Sequence, residues 1–123
     1  MKAILSFVAL FLLIAQAQMA GGYTDQSVST VETDQGTQTA FNFGKAQFIK
    51  AAYAANEISS TNFSSEKVVS VATQVVAGLN YKFTVEFTDS EGKNTYGTFV
   101  VFSQPWTSTL EMTSYSVSAT PQF

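Results

Sequence analysis

Gln74-Val75-Val76-Ala77-Gly78 is the stretch on which the reading of this chain turns. It separates two runs in which apolar and polar residues alternate. In the second run Leu79, Tyr81, Phe83, Val85 and Phe87 fall on one side, and Asn80, Lys82, Thr84, Glu86 and Thr88 on the other. A period of two over that length is the pattern of a strand with one buried face. The first run, Val68 to Val76, places Val69, Val71, Thr73 and Val75 on one side. The pentapeptide between them is therefore expected to be the tip of a β-hairpin. Turns usually carry Gly, Asn, Asp or Pro, yet this one holds Val75, Val76 and Ala77 and is closed by Gly78. Small apolar residues at a tip suit insertion into an apolar cleft better than exposure to water, and apolar residues on a rigid support usually mark contact with a partner. The alternative that stays open on these five residues alone is that Val75 and Val76 continue a core strand, with Gly78 an ordinary turn glycine.

Working outward, Asp89 to Asn94 is polar and contains Gly92, which reads as a turn. Tyr96 to Gln104 is a third long strand, with Phe99, Val100, Val101 and Phe102 in an almost continuous apolar run, and Thr109 to Val117 is a last one. Upstream, Thr37 to Asn56 reads as the single helix. Phe41, Gly44, Phe48, Ala51 or Ala52, and Ala55 recur at three- and four-residue intervals, which builds one apolar face. Lys45, Gln47 and Lys50 lie off that face, and Asp34 or Thr37 is placed to cap the start. Val28 and Val31 suggest a short strand or an extended lead-in. One helix followed by an antiparallel meander of four to five strands makes an α+β domain, in which the helix must cover the apolar side of the sheet.

The first seventeen residues read differently. Met1 and Lys2 make a short positive start, Ile4 to Ile14 is apolar apart from Ser6, and Ala15-Gln16-Ala17 offers small residues at a cleavage site. That is the layout of a secretory signal peptide, too short to span a bilayer. Residues 18–123 would then form one domain of a size to hold one core, in a secreted protein or one of the lumen of the secretory or lysosomal pathway, with no membrane partner. Asn62-Phe63-Ser64 is an acceptor sequence for N-linked glycosylation, which export would make relevant.

Composition removes most chemistry. The chain has no Cys and no His, so disulfides, zinc-thiolate sites, a thiol nucleophile and the commonest general base are all excluded. It has no Arg and a net charge of −3, which disfavours nucleic acid. Asp89 and Glu91 lie in a turn, where charges are normally just solvated, and nothing in their placement favours a hydrolytic pair. No cofactor or metal is expected, and the chain reads as a binding protein rather than an enzyme.

Two further features stand out. Gly21-Gly22, after Ala20 near the start of the cleaved chain, would let another chain approach closely. Pro105-Trp106 occupies the last hairpin connection, where Pro stops the ladder and Trp is either a core residue or an interface anchor. Successive turns of a meander alternate between the ends of the sheet. The turn at residues 74–78 and the turn at Pro105-Trp106 should therefore be neighbours.

In these features, and in their order and spacing, the chain resembles the cystatins, protein inhibitors of papain-like cysteine proteases. The resemblance covers essentially all of residues 18–123. It implies a cystatin-like fold and a reversible, competitive inhibitor of papain-like (cathepsin-type) proteases. Gln18 to Ala20 would enter the non-primed side of the cleft, with Gly21 as the pivot and Gly22 beside it. Gln74, Val75, Val76, Ala77 and Gly78 would approach the catalytic centre, and Pro105 and Trp106 would pack on the primed side. The absence of Cys resembles the stefins, but stefins have neither a signal peptide nor the Pro-Trp pair. The helix lacks the motif typical of plant cystatins. A monomer is implied, and a strained hairpin at Val75 to Gly78 that opens and exchanges would give a domain-swapped dimer. Two other readings compete: a non-inhibitory secreted module with this fold, binding or structural, and a carboxylate-dependent hydrolase.

Overall fold

The computed structural model describes residues 22–121, so the segment read as a signal peptide and Gln18 to Gly21 lie outside the described residues. The chain runs β1 (Thr24–Gln26), α1 (Thr30–Thr33), α2 (Gln35–Ala54), β2 (Ser65–Val76), β3 (Gly78–Thr88), β4 (Asn94–Gln104), a 3-10 turn (Pro105–Thr107) and β5 (Thr109–Ser118). The strands form one antiparallel sheet in the order β1-β2-β3-β4-β5, each beside its neighbour in sequence. This is the predicted α+β meander under one long helix.

Helix α2 starts where a cap is available. The Asp34 carboxylate accepts from the Thr37 backbone N–H at 3.0 Å and from the Thr37 hydroxyl at 2.7 Å, so Asp34 is the cap and Thr37 its partner. These hydrogen bonds favour the ionised carboxyl and hold its pKa below the ordinary value. Thr37, Ala40, Phe41, Gly44, Phe48 and Ala52 are the buried face. The expected stripe holds through Ala52, but Ala55 is exposed because the helix ends one residue earlier. Lys45 is half-buried rather than simply solvated. Its ammonium meets Glu66 of β2 at 2.7 Å and lies 5.5 Å from the Phe41 ring centre.

The sheet answers with alternate residues. Tyr81, Phe83, Val85 and Phe87 of β3, with Phe99 and Val101 of β4, are buried beneath α2. Phe48 stacks on Phe87 and Phe99 with both ring centres 5.5 Å away, and Tyr115 of β5 meets its edge at 5.8 Å. Gly44 lets the helix sit this low: a Cβ there would be 2.5 Å from Val101 Cγ2 and 2.8 Å from Phe99 Cδ2. At the far end from the Gln74–Gly78 tip, the Asp89 carboxylate accepts from the backbone N–H groups of Glu91 and Lys93, both at 2.9 Å, and closes the turn between β3 and β4.

Three expectations need correction. Val69 does not share the face of Val71. The ladder pairs Val68 with Val85 and then Ser70 with Thr84, so a bulge absorbs Val69 and brings Val68 against the core. Val28 and Val31 do not form a strand: Val28 is exposed in a turn and Val31 lies in α1, while the short strand falls earlier, at Thr24–Gln26. The helix is Gln35–Ala54 rather than Thr37–Asn56, and Asn56, with φ at 61°, lies beyond its end.

Candidate functional site

The two unusual turns do meet. The β2–β3 hairpin pairs Gln74 with Asn80, Val75 with Leu79 and Val76 with Gly78, so Ala77 alone forms the tip. Such a tight reversal needs a backbone that most residues avoid, and Gly78 supplies it with φ at 122°. A Cβ on Gly78 would also be 2.5 Å from the Ser103 carbonyl oxygen of β4. Gln74 steadies the base of the tip by accepting a 3.0 Å hydrogen bond from the Asn80 amide.

The second turn follows directly from β4. Pro105 starts a 3-10 turn, where its missing N–H costs nothing, and Ser108 ends it with φ at 56°, its N–H donating to the Pro105 carbonyl at 3.0 Å. Across the gap, the Gln104 side-chain amide donates to the Ala77 carbonyl at 2.7 Å. The alternation expected of a meander therefore places both turns at one end of the sheet, in direct contact.

The side chains these turns display are apolar and open. Val75 and Trp106 are each 70% exposed, the two most exposed large apolar side chains among the described residues. That removes the readings of Val75 as a continued core residue and of Trp106 as a core aromatic. Val76 is half-buried, Ala77 exposed and Pro105 exposed. Neither 74–78 nor 103–109 contains a charged residue.

The chain's N-terminal approach lies on the same side. β1 pairs Thr24 with Thr73, Asp25 with Ala72 and Gln26 with Val71, and the Gln26 amide donates to the Thr73 hydroxyl at 3.0 Å. Running antiparallel to β2, it carries Tyr23 and Gly22 toward Val75. The Tyr23 ring stands 5.4 Å from the Lys82 ammonium, and burial pushes its hydroxyl pKa up. Gly22 is exposed with nothing near its would-be Cβ. Ala20 and Gly21, named with it from the sequence, lie outside the described residues.

Asn62 is exposed in the connection between α2 and β2, at the end of the sheet away from the two turns. Ser64 of the same acceptor sequence donates its hydroxyl to the Thr88 and Asp89 carbonyls, each at 3.0 Å. Among the described residues no three acidic side chains are grouped so as to hold a metal ion.

Gln104 was not anticipated from the sequence. A Gln before a Pro carries no signal of its own, and only the register of β4 against the first hairpin reveals its reach.

The arrangement is an uncharged, preformed edge made of two joined turns, with a strand-guided arm beside it. The family model of the cystatin domain matches residues 28–121. The chain is also similar to cysteine proteinase inhibitor 8 of Oryza sativa subsp. japonica, 36% identical over 62 residues. That match covers 50% of this chain and 50% of the rice protein, so it spans about half the length of the curated relative.

Proposed function

The chain belongs to the cystatin family, and on that premise we propose that it is a reversible, competitive inhibitor of papain-like cysteine proteases. It acts outside the cell or in the lumen of the secretory pathway, after loss of residues 1–17. The observation that carries this reading is the contact between the two turns, which holds Val75 and Trp106 exposed on one edge. The rice relative's name, a cysteine proteinase inhibitor, supports the same class.

In this mechanism the edge enters the cleft as a wedge. Val75 to Gly78 faces the catalytic centre, Trp106 covers the primed-side wall, and Gln18 to Ala20 extends along the non-primed side from a pivot at Gly21. Because neither 74–78 nor 103–109 carries a charged side chain, docking of the two turns strips no ionised side chain of theirs of water. Because both turns are held in place before contact, little ordering entropy is lost. Reversibility has a backbone reason. A protease cuts an extended segment, whereas the chain reverses around Ala77 with Gly78 at positive φ, so no extended peptide bond reaches the nucleophile. The protein is thus an inhibitor rather than an enzyme, and a monomer suffices for the wedge.

The test is a titration of papain activity with recombinant residues 18–123. Competitive inhibition, reversed on dilution, is the expected result. A well-folded monomer that leaves papain and cathepsin-type enzymes untouched would reject the proposal in favour of a non-inhibitory module with this fold.

A further inference from the structure

We infer that Gln104 is a positioning residue for the wedge: its side-chain amide clasps the first hairpin tip to the Pro105–Thr107 turn and sets Val75 and Trp106 in fixed relation. The inference deepens the proposed inhibition and rests on it.

The amide is used at both ends, with matching polarity. Its nitrogen donates to the Ala77 carbonyl at 2.7 Å, and its oxygen accepts from the Thr107 hydroxyl at 2.7 Å. The Thr107 hydroxyl also lies 2.7 Å from the Thr109 hydroxyl. A hydroxyl has one proton to give. The Thr107 hydroxyl also reaches the Gln104 backbone carbonyl at 3.0 Å, but the side-chain oxygen is the closer acceptor. With the Thr107 proton given to Gln104, Thr109 must supply the bond between the two threonines. The result is a directed chain from Thr109 through Thr107 and Gln104 to Ala77, in which each bond polarises the next. Its far end falls on Ala77, the tip residue outside the ladder pairs of β2 and β3. Its near end is anchored in the sheet, since Gln104 pairs with Thr109 across β4 and β5. The backbone ladder holds the two strand pairs, but the tips project past its last rung. Gln104 ties one projecting tip to the other.

Gln104→Met keeps the length and removes both hydrogen bonds. Thr107→Val breaks the chain on the opposite side without altering Gln104. Each is compared with the wild-type chain by thermal melting, by time-resolved anisotropy of Trp106, the protein's single Trp, and by papain inhibition kinetics. Expected results are a near-unchanged melting temperature, faster Trp106 motion in both variants, and about tenfold weaker inhibition, mostly through slower association. That is the change expected if the competent arrangement falls to about a tenth of the population. Gln104→Glu, which keeps the acceptor for Thr107 but loses the donor to Ala77, should behave like Gln104→Met.

Weaker inhibition with unchanged Trp106 motion would make Gln104 a direct protease contact and overturn the positioning role. Faster motion with unchanged inhibition would overturn it equally. Failure of the wild-type chain to inhibit would reject the proposed function and with it the clasp's role in inhibition. The anisotropy would then still decide whether the clasp restrains the turn.

Discussion

Trp106→Ala isolates the contribution of the second turn, because the side chain has little to do for the fold. It is 70% exposed and sits in a three-residue turn outside the buried cluster. A Trp side chain buries about 150–250 Å² when fully covered, so about 100–175 Å² remains available for a partner. At about 25 cal/mol per Å² that area corresponds to about 2.5–4.5 kcal/mol. The remaining Ala methyl and imperfect packing reduce this to about 1.5–3 kcal/mol, a loss of roughly ten- to 150-fold in inhibition constant. Stability should change by less than about 0.5 kcal/mol, as for other surface positions. The assay is progress-curve inhibition of papain with both proteins, alongside urea unfolding. An inhibition constant within twofold of wild type, for a variant equally stable, would refute the reasoning: the exposed Trp would then not be part of the docking edge.

Other perturbations separate fold from wedge. Gly44→Ala, which in isolation favours a helix, should destabilise the protein by about 1–3 kcal/mol through overpacking against Val101 and Phe99, as read by urea unfolding. Asp34 has a depressed pKa, so the stability it adds is complete above about pH 4 and is lost as pH falls through its lowered folded value. Asp34→Asn removes that titration, and the stability difference between the two proteins should shrink on acidification, measured by melting temperature from pH 6 to pH 2. Secretion from a eukaryotic host should add one N-linked glycan at Asn62, seen as a mass shift removed by a peptide N-glycosidase. Inhibition should be unaffected by it, because Asn62 lies away from the wedge. An unmodified secreted chain would reject the acceptor site.

The strands that pack on both flanks were legible because their neighbours enforce alternation. Leu79 to Phe87 is an inner strand, and its period of two carries from sequence to burial except at Thr84, which is buried as well and lies 3.1 Å from the Thr98 hydroxyl. At the margin of the sheet the pattern weakens. β1 is Thr-Asp-Gln, fully exposed, and its place is set by pairing with Val71 to Thr73 rather than by any apolar side chain. The bulge at Val69 is hidden for another reason. Val68, Val69 and Val71 are chemically alike, so a shift of one residue leaves no trace in composition. The tips were readable because Val75 and Trp106 stand where polar residues would be expected. What joins them was not, since Gln104 and Ala77 are 27 positions apart and meet only through the register of three strands.

The meander also sorts the molecule into a working end and a handling end. β3 alone is 11 residues long, so at about 3.3 Å per residue the Asp89–Lys93 turn stands about 35 Å from the Ala77 tip. At Gly92, φ is 82° and no atom lies within 4 Å of its would-be Cβ, so that turn faces open space. A biotin or dye carried at Ser90 or Glu91 would therefore hold the protein with Val75 and Trp106 pointing away from any support. On the proposed function, one topological fact would thus provide an oriented capture reagent, with the point of attachment at the end of the sheet opposite Val75 and Trp106.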